Sequence, residues 1–328
     1  MIDVITPSRL HFGLLAFDPA QPRQFGGIGL MVRQPNTRIR LSESNSVTAE
    51  GRMADRAQAF ADSFIDWARR ESHIVRRRGV HIKIASIPRP HTGLGSGTQL
   101  GIAVATGLAK LFDIDALCID HRAAAVQRGK RSAIGAHGFD HGGLIMEAGK
   151  TDPTALSPMI GRWTFPEHWR IVLVRPKAMD GLSGHREQTA FDSKLSIPPN
   201  VTAELCRIAL LGIIPGTVEQ DIDQFGEALF ELQTKVGDCF ATAQGGRWAD
   251  PLLGSIIDYV RADGVAGVGQ SSWGPTIYAV CEDLDRAEAL ATSVQTQFNL
   301  DHDEVRITEA DNHGAVVRSV QQSVDRLL

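Results

Sequence analysis

The sequence predicts an α+β chain folded as two lobes, and three observations carry that prediction. The 328 residues, 43% hydrophobic and 22% charged, have the composition of a globular protein and the length for two cores of ordinary size. β-like runs come in clusters with helix-like runs between them, not in strict alternation, which favours separate sheets covered by helices over a doubly wound parallel sheet. Residues 151–162, with Pro153, Pro158 and Gly161, read as the seam, dividing the chain into lobes at 1–160 and 161–328.

The elements follow from local pattern. Short runs favouring strands lie at residues 2–6, 37–41 and 80–86 in the first lobe and at 170–174, 276–281 and 305–308 in the second. Helical periodicity marks residues 57–70, 99–112, 121–128, 199–211, 220–236, 251–263 and 284–298. In the second of these, Leu100, Val104, Leu108 and Leu111 recur at spacings of three or four, the buried stripe of one helix. No internal repeat or low-complexity tract interrupts the series.

Charge and cysteine usage exclude several classes. A net charge of −4 supplies no positive field, so no nucleic-acid partner is expected. The basic run Arg76-Arg77-Arg78 reads as a solvated turn. Cys118, Cys206, Cys239 and Cys281 are too widely spaced for a redox pair or a zinc site and read as reduced, mostly buried thiols of a cytoplasmic protein. The N-terminus Met1-Ile2-Asp3-Val4 lacks a basic leader, and no apolar run reads as long enough to span a bilayer, so neither secretion nor membrane insertion is expected.

The segment His91-Thr92-Gly93-Leu94-Gly95-Ser96-Gly97-Thr98-Gln99-Leu100 joins a glycine-rich loop directly to the start of an apolar-periodic helix. Small residues let consecutive N–H groups converge on one point, and the positive end of the helix adds to the attraction for a phosphate.

Three separated segments resemble the GHMP kinase superfamily. These are Pro7-Ser8-Arg9-Leu10-His11-Phe12-Gly13, the loop from Pro90 to Leu100, and Gly267-Val268-Gly269-Gln270-Ser271-Ser272-Trp273-Gly274-Pro275-Thr276. The resemblance implies a two-lobed GHMP-kinase-like fold, with a first lobe like domain 2 of ribosomal protein S5 and a ferredoxin-like second lobe. Two departures disfavour ATP-dependent phosphorylation. Gly97 stands where those kinases carry a serine that helps hold magnesium, and Ser132-Ala133-Ile134-Gly135 ends in glycine where many carry a catalytic aspartate.

The same departures resemble one non-kinase branch, the β-ribofuranosylaminobenzene 5′-phosphate synthase family. The likeness runs through Gly26-Gly27-Ile28-Gly29-Leu30, Gly93 to Leu100, Ser132 to Gly143, Ile171-Val172-Leu173-Val174, Ser183-Gly184-His185-Arg186-Glu187 and Ser271 to Thr276. It implies a decarboxylating phosphoribosyltransferase of methanopterin biosynthesis. Such an enzyme joins phosphoribosyl pyrophosphate to 4-aminobenzoate or 4-hydroxybenzoate and releases pyrophosphate and CO2. The resemblance further implies Mg²⁺ carried in with the sugar diphosphate, no metal ligands that the sequence identifies, and a homodimer. The competing readings are a GHMP small-molecule kinase and a non-catalytic sugar-phosphate sensor.

That chemistry assigns candidate roles. A departing pyrophosphate needs backbone N–H donors, which the loop Gly93, Leu94, Gly95, Ser96, Gly97 and Thr98 supplies. The 5′-phosphate and the benzoate carboxylate need cationic or polar donors, for which Ser8, Arg9, Lys177, His185 and Arg186 are candidates, with Gly27 allowing close approach. Ser271, Ser272 and Thr276 are expected to complete the floor from the second lobe, and Trp273 is open between a stacking wall and interlobe packing. A base near the ring substituent is sought among His11, Asp140, His141, His185 and Glu187, with His11 and Arg9 on one face of an extended segment.

Overall fold

In the computed structural model, which describes residues 1–18, 20–71, 79–114, 117–177 and 195–320, two long strands organise the first lobe. β1 (Ile2–Leu14) and β2 (Gly27–Ser44) pair antiparallel, with register shifts between Thr6 and Ser8 and between His11 and Gly13. β3 (Thr48–Glu50), β4 (Gly79–Ser86) and β11 (Val316–Ser319) extend this sheet in the order β11-β1-β2-β4-β3. β5 (Leu144–Glu147) pairs with the first residues of β2, and β6 (Met159–Trp163) pairs with β5. The second sheet is antiparallel throughout, β7 (Arg170–Val174), β8 (Gly267–Gln270), β9 (Ile277–Cys281) and β10 (Val305–Thr308) lying in the order β10-β7-β9-β8.

Helices cover the sheets. In the first lobe these are α1 (Ala54–Arg70), α2 (Ser96–Leu111), α3 (Ile119–Ala125) and α4 (Ile134–His141). In the second, α5 (Pro199–Ile208) runs through a π-helical turn at Ala209–Ile213 into α6 (Ile214–Glu219), followed by α7 (Ile222–Gln244), α8 (Pro251–Ala262) and α9 (Leu284–Phe298). Sequence sets the ends. The side chains of Asp221, Asp250 and Asp283 accept N–H bonds from the first turns of α7, α8 and α9, and Gly245 and Asn299 stop α7 and α9 in the left-handed conformation.

The predicted stripe of α2 is present: Leu100, Val104 and Leu108 are fully buried with Phe64 of α1 and Ile39, Leu41 and Ile82 of the sheet. A second core joins Val172, Val268 and Ile277 to Ile256, Val260, Leu290 and Val294. The third belongs to both lobes, with Leu10, Phe12 and Leu30 packed with Leu173 and Tyr278 and with Phe225, Leu229 and Leu232 of α7. Separating the lobes would expose this shared core, so the cleft between them has firmly tied walls.

The α+β reading holds, with corrections. The stretch expected as seam contains β6, so the first sheet continues through Trp163, and the chain returns to that sheet in β11. Of the four cysteines, all unpaired, Cys281 is buried, Cys206 and Cys239 are half-buried and Cys118 is exposed. Contrary to the sequence reading, Pro199–Glu219 has the length and mean hydropathy (1.5) of a membrane-crossing stretch. In this fold it packs against α7. The strand pattern did not show α4, because its glycines and histidines carry little helical periodicity.

Candidate active site

The glycine loop is fixed where it crosses two other segments of the chain, β1 and the loop at Ser271. Ser271 Oγ donates to Gly93 O at 2.7 Å and accepts the His11 N–H at 3.0 Å, while Arg9 N–H donates to Leu94 O at 3.0 Å. The backbones approach so closely that a Cβ on Gly274 would stand 2.2 Å from Gly93 N, and Gly93 itself has φ +83°. Only glycines allow this contact. It holds the loop, the N-terminus of α2 and β1 in one arrangement.

These elements face a cleft of about 530 Å³ lined by both cationic and aromatic side chains. Its cationic side chains are Arg9, Arg56, Arg128, Lys130, Arg131 and Arg247, and no Asp or Glu is among the described residues that line it. These cations share the lining with Gly93, Gly95, Ser96, Gly97 and Thr98. Arg9 packs over Gly95, its Nε 3.4 Å from where a Cβ would stand. Toward α7 the lining turns aromatic, with Phe17 stacked on Phe25 at 5.2 Å between ring centres and Phe240 tilted against Trp273 at 5.5 Å. Trp273, 8% exposed, both packs between the lobes and lines the cleft.

The basic segment before α4 is held from beneath. Lys150, 5% exposed, donates to Gly129 O at 3.1 Å, Pro153 O at 3.1 Å and Ala155 O at 3.0 Å. Lys150→Met would leave three carbonyls without their ammonium donor, and a loss of about 2–4 kcal/mol is expected in urea unfolding. An unchanged midpoint would show that the clip contributes nothing.

A chain of hydrogen bonds runs from the cleft wall into the interior. His11 Nε2 lies 3.1 Å from Ser132 Oγ, Ser132 Oγ donates to Glu147 Oε1 at 2.7 Å, and Ala133 N–H donates to Glu147 Oε2 at 2.7 Å. Glu147 is fully buried, and burial pushes its carboxyl up to about 7 against the hydrogen bonds from Ser132 and Ala133 and the charge of Arg9. Burial, then the positive charge of Arg9, holds His11 well below the usual histidine range. The imidazole is therefore neutral at pH 7. When Glu147 is ionised, above about pH 7, and the Ser132 proton is directed to it, His11 Nε2–H donates to Ser132 and Nδ1 carries the lone pair.

Of the sequence candidates, the structure brings Arg9, His11, Gly93, Gly95, Ser96, Gly97, Thr98 and Ser272 together in the cleft lining. Others lie elsewhere. Asp140 is paired with Arg122 at 2.5 Å near the C-terminal end of α4, where His141 is exposed, so both lie away from the cleft. Ser8 is buried, with Oγ donating to Pro35 O at 2.5 Å. Gly27 is packed beside Glu147, its Cβ position 3.3 Å from Oε1. Leu94 and Thr276 are buried outside the lining, and Ser271 serves the crossing described above. Lys177 pairs with Asp301 and Asp303 at 2.7 Å each, away from the cleft. His185, Arg186 and Glu187 lie outside the described residues.

Glu147, Ser132, Arg56 and the Arg128–Arg131 run carry no role in the sequence reading. Two signals were present: a carboxylate ending the apolar run Leu144-Ile145-Met146, and three cations flanking one glycine in Arg128-Gly129-Lys130-Arg131. No carboxylate is among the atoms nearest a Cβ on Gly135, which are Gln99 Nε2 at 3.4 Å and the Thr98 side chain at 3.5 Å and beyond.

Residues 59–143 match the family model for the GHMP kinases N-terminal domain, and residues 213–300 match that for the GHMP kinases C terminal. The chain is 33% identical over 297 residues to a β-ribofuranosylphenol 5′-phosphate synthase of Methanothermobacter thermautotrophicus, covering 85% of this chain and 88% of that protein. It is 30% identical to one of Archaeoglobus fulgidus, covering 97% and 99%. Among solved structures, a putative homoserine kinase from Listeria monocytogenes superposes with TM-score 0.66 at 16% identity, covering 98% of this chain and 100% of that one, a likeness of fold.

Proposed function

Because this chain belongs to the β-ribofuranosylphenol 5′-phosphate synthase family of enzymes, we propose that it joins phosphoribosyl pyrophosphate to 4-hydroxybenzoate or 4-aminobenzoate, releasing pyrophosphate and CO2. The observation that supports this reading is one cleft whose described lining residues combine six cationic side chains and no carboxylate with the aromatic rings of Phe17, Phe25, Phe240 and Trp273. The cations suit a phosphorylated sugar diphosphate and the aromatic rings a benzoate ring. The relatives' name, β-ribofuranosylphenol 5′-phosphate synthase, favours the hydroxy acid.

In this reading the ring carbon bearing the carboxylate attacks the anomeric carbon as its bond to pyrophosphate breaks and the leaving group takes the bonding electrons. Loss of CO2 then returns the carboxylate electrons to the ring. His11, the neutral base at the cleft wall, draws the proton from the ring hydroxyl as negative charge is pushed toward the carbon, and returns it at the end. The Ser132–Glu147 pair orients the imidazole and stabilises its positive charge. Backbone N–H groups of the glycine loop receive the diphosphate. In this reading Mg²⁺ enters as part of the substrate, carried with the diphosphate. The four unpaired cysteines suit work in the cytoplasm.

The test supplies phosphoribosyl pyrophosphate, Mg²⁺ and each carboxyl-labelled benzoate and follows labelled CO2. Release with one or both is expected. No release with either acid, together with ATP turnover on a small alcohol, would replace this reading by the kinase one. Arg9→Ala is expected to weaken phosphoribosyl pyrophosphate binding by about 10- to 100-fold with an unchanged unfolding midpoint, since a charge-assisted contact is worth about 1.5–3 kcal/mol. Unchanged affinity would remove Arg9 from the site.

A further inference from the structure

We propose that Arg56 and Arg128 form a subsite for a diphosphate group, strong enough to take inorganic pyrophosphate by itself and so to make the enzyme subject to inhibition by its own product. The inference rests on the cleft being the substrate site, and it adds which side chains select two linked phosphates over one.

The geometry begins at Gly97. A Cβ there would stand 2.9 Å from Arg56 Nη2, 3.1 Å from Cζ and 3.3 Å from Nη1, so the bare glycine leaves the space that the guanidinium occupies against the loop. Gly97 thus makes room for a fixed cation at the point where α2 begins. Arg56 itself breaks a local rule. It lies in the first turn of α1, where a positive charge opposes the helix dipole, and such violations are expected where function demands them.

One aromatic ring supports two of the cations. The guanidinium carbons of Arg56 and Arg128 stand 5.7 and 4.9 Å from the centre of the Phe60 ring. No carboxylate among the described residues is paired with either, and Arg128 Nε is buried without a hydrogen-bond partner. The repulsion is felt: burial first, then the charges of Arg56 and Arg131, bring Arg128 down to about 10. Lys150 fixes the Gly129 carbonyl between Arg128 and Arg131, so the cluster cannot relax simply by swinging its backbone away. A group of like charges held together this way gains most from a ligand that carries several negative charges at short spacing. Diphosphate has more acceptor oxygens, over a longer span and with more negative charge, than a single phosphate, and so gains more from two guanidinium groups together with the N–H groups of the loop.

The experiment is calorimetric titration of the whole protein with inorganic pyrophosphate and, separately, inorganic phosphate, each with and without Mg²⁺. Pyrophosphate is expected to bind at least 10-fold more tightly than phosphate. Arg56→Met and Arg128→Met should each weaken pyrophosphate by 10-fold or more and phosphate by less than 3-fold. Arg56→Lys should recover part of the loss, and Gly97→Ser, which crowds Arg56, should reproduce part of it. Steady-state inhibition by pyrophosphate should be competitive with the sugar diphosphate and weaken in the same order. Equal affinity for the two anions, or methionine variants that bind pyrophosphate as the parent does, overturns the subsite even if labelled CO2 is released. Absence of CO2 release with this selectivity intact would count against the proposed reaction and leave the subsite standing.

Discussion

Replacing His11 by glutamine is expected to lower kcat by about 100- to 10,000-fold, the range that a positioned general base contributes, with pyrophosphate affinity and the unfolding midpoint close to those of the parent. The backbone reasons for leaving the fold intact are specific. His11 N–H bonds to Ser271 Oγ and His11 O accepts from Ser272 N, and neither bond uses the imidazole. Glutamine keeps a group able to bond with Ser132 but supplies no basic nitrogen. A second, quantitative signature accompanies the loss: the limb of the kcat profile that reports this base disappears in the variant. A variant retaining more than half the parental kcat would exclude His11 as the base and move the search to the residues that the structure does not describe, His185 and Glu187 among them.

The second large effect concerns stability against pH. Glu147 holds its proton to about pH 7 in the folded chain and to its ordinary value of 4.5 when unfolded. Between these values the folded state binds more protons, so stability falls as pH rises from 4.5 to 7, by about 3 kcal/mol in all. His11 works in the opposite sense. Its folded value lies well below 6.5, so below that pH the unfolded chain binds more protons and stability falls as pH drops. In the parent the two slopes oppose one another across the window they share. Glu147→Gln removes one of them. Relative to the parent, the variant is expected to gain steadily from pH 4.5 to 7 on top of a constant loss from its imperfect bond to Ala133 N–H. Urea unfolding at half-unit pH intervals measures the difference. If that difference does not vary with pH, the carboxyl does not titrate in this range and the buried acid is not part of a proton path.

Legibility of the site tracked the distance over which its parts interact. Arg9 and His11 alternate along one strand, and the loop from Gly93 to Thr98 opens one helix, so periodicity and turn chemistry identified them and the cleft lining contains them. Asp140 and His141 illustrate the limit. Their place beside Gly142 and Gly143 suggested a cleft, but residues 134–141 form a helix. Its preceding residues Ser132 and Ala133 meet Glu147, while its far end carries Asp140 to Arg122. A strand reading and a helix reading of the same residues point their side chains in different directions.

By itself the sequence determined the α+β class, the helices whose apolar stripes and caps are local, the glycine loop that opens α2 and the family to which the chain belongs. Each of these depends on residues close along the chain or on motifs in a fixed order. Only the tertiary structure decided that Glu147 from β5 lies beneath Ser132 and His11, that Arg56 from α1 fills the space left at Gly97, and that Ser271 closes the loop against β1. The reason is physical. The value of a charge or a hydrogen bond is set by the burial and the partners that chain crossings impose, and residues far apart in sequence acquire both only when the two lobes close over their shared core.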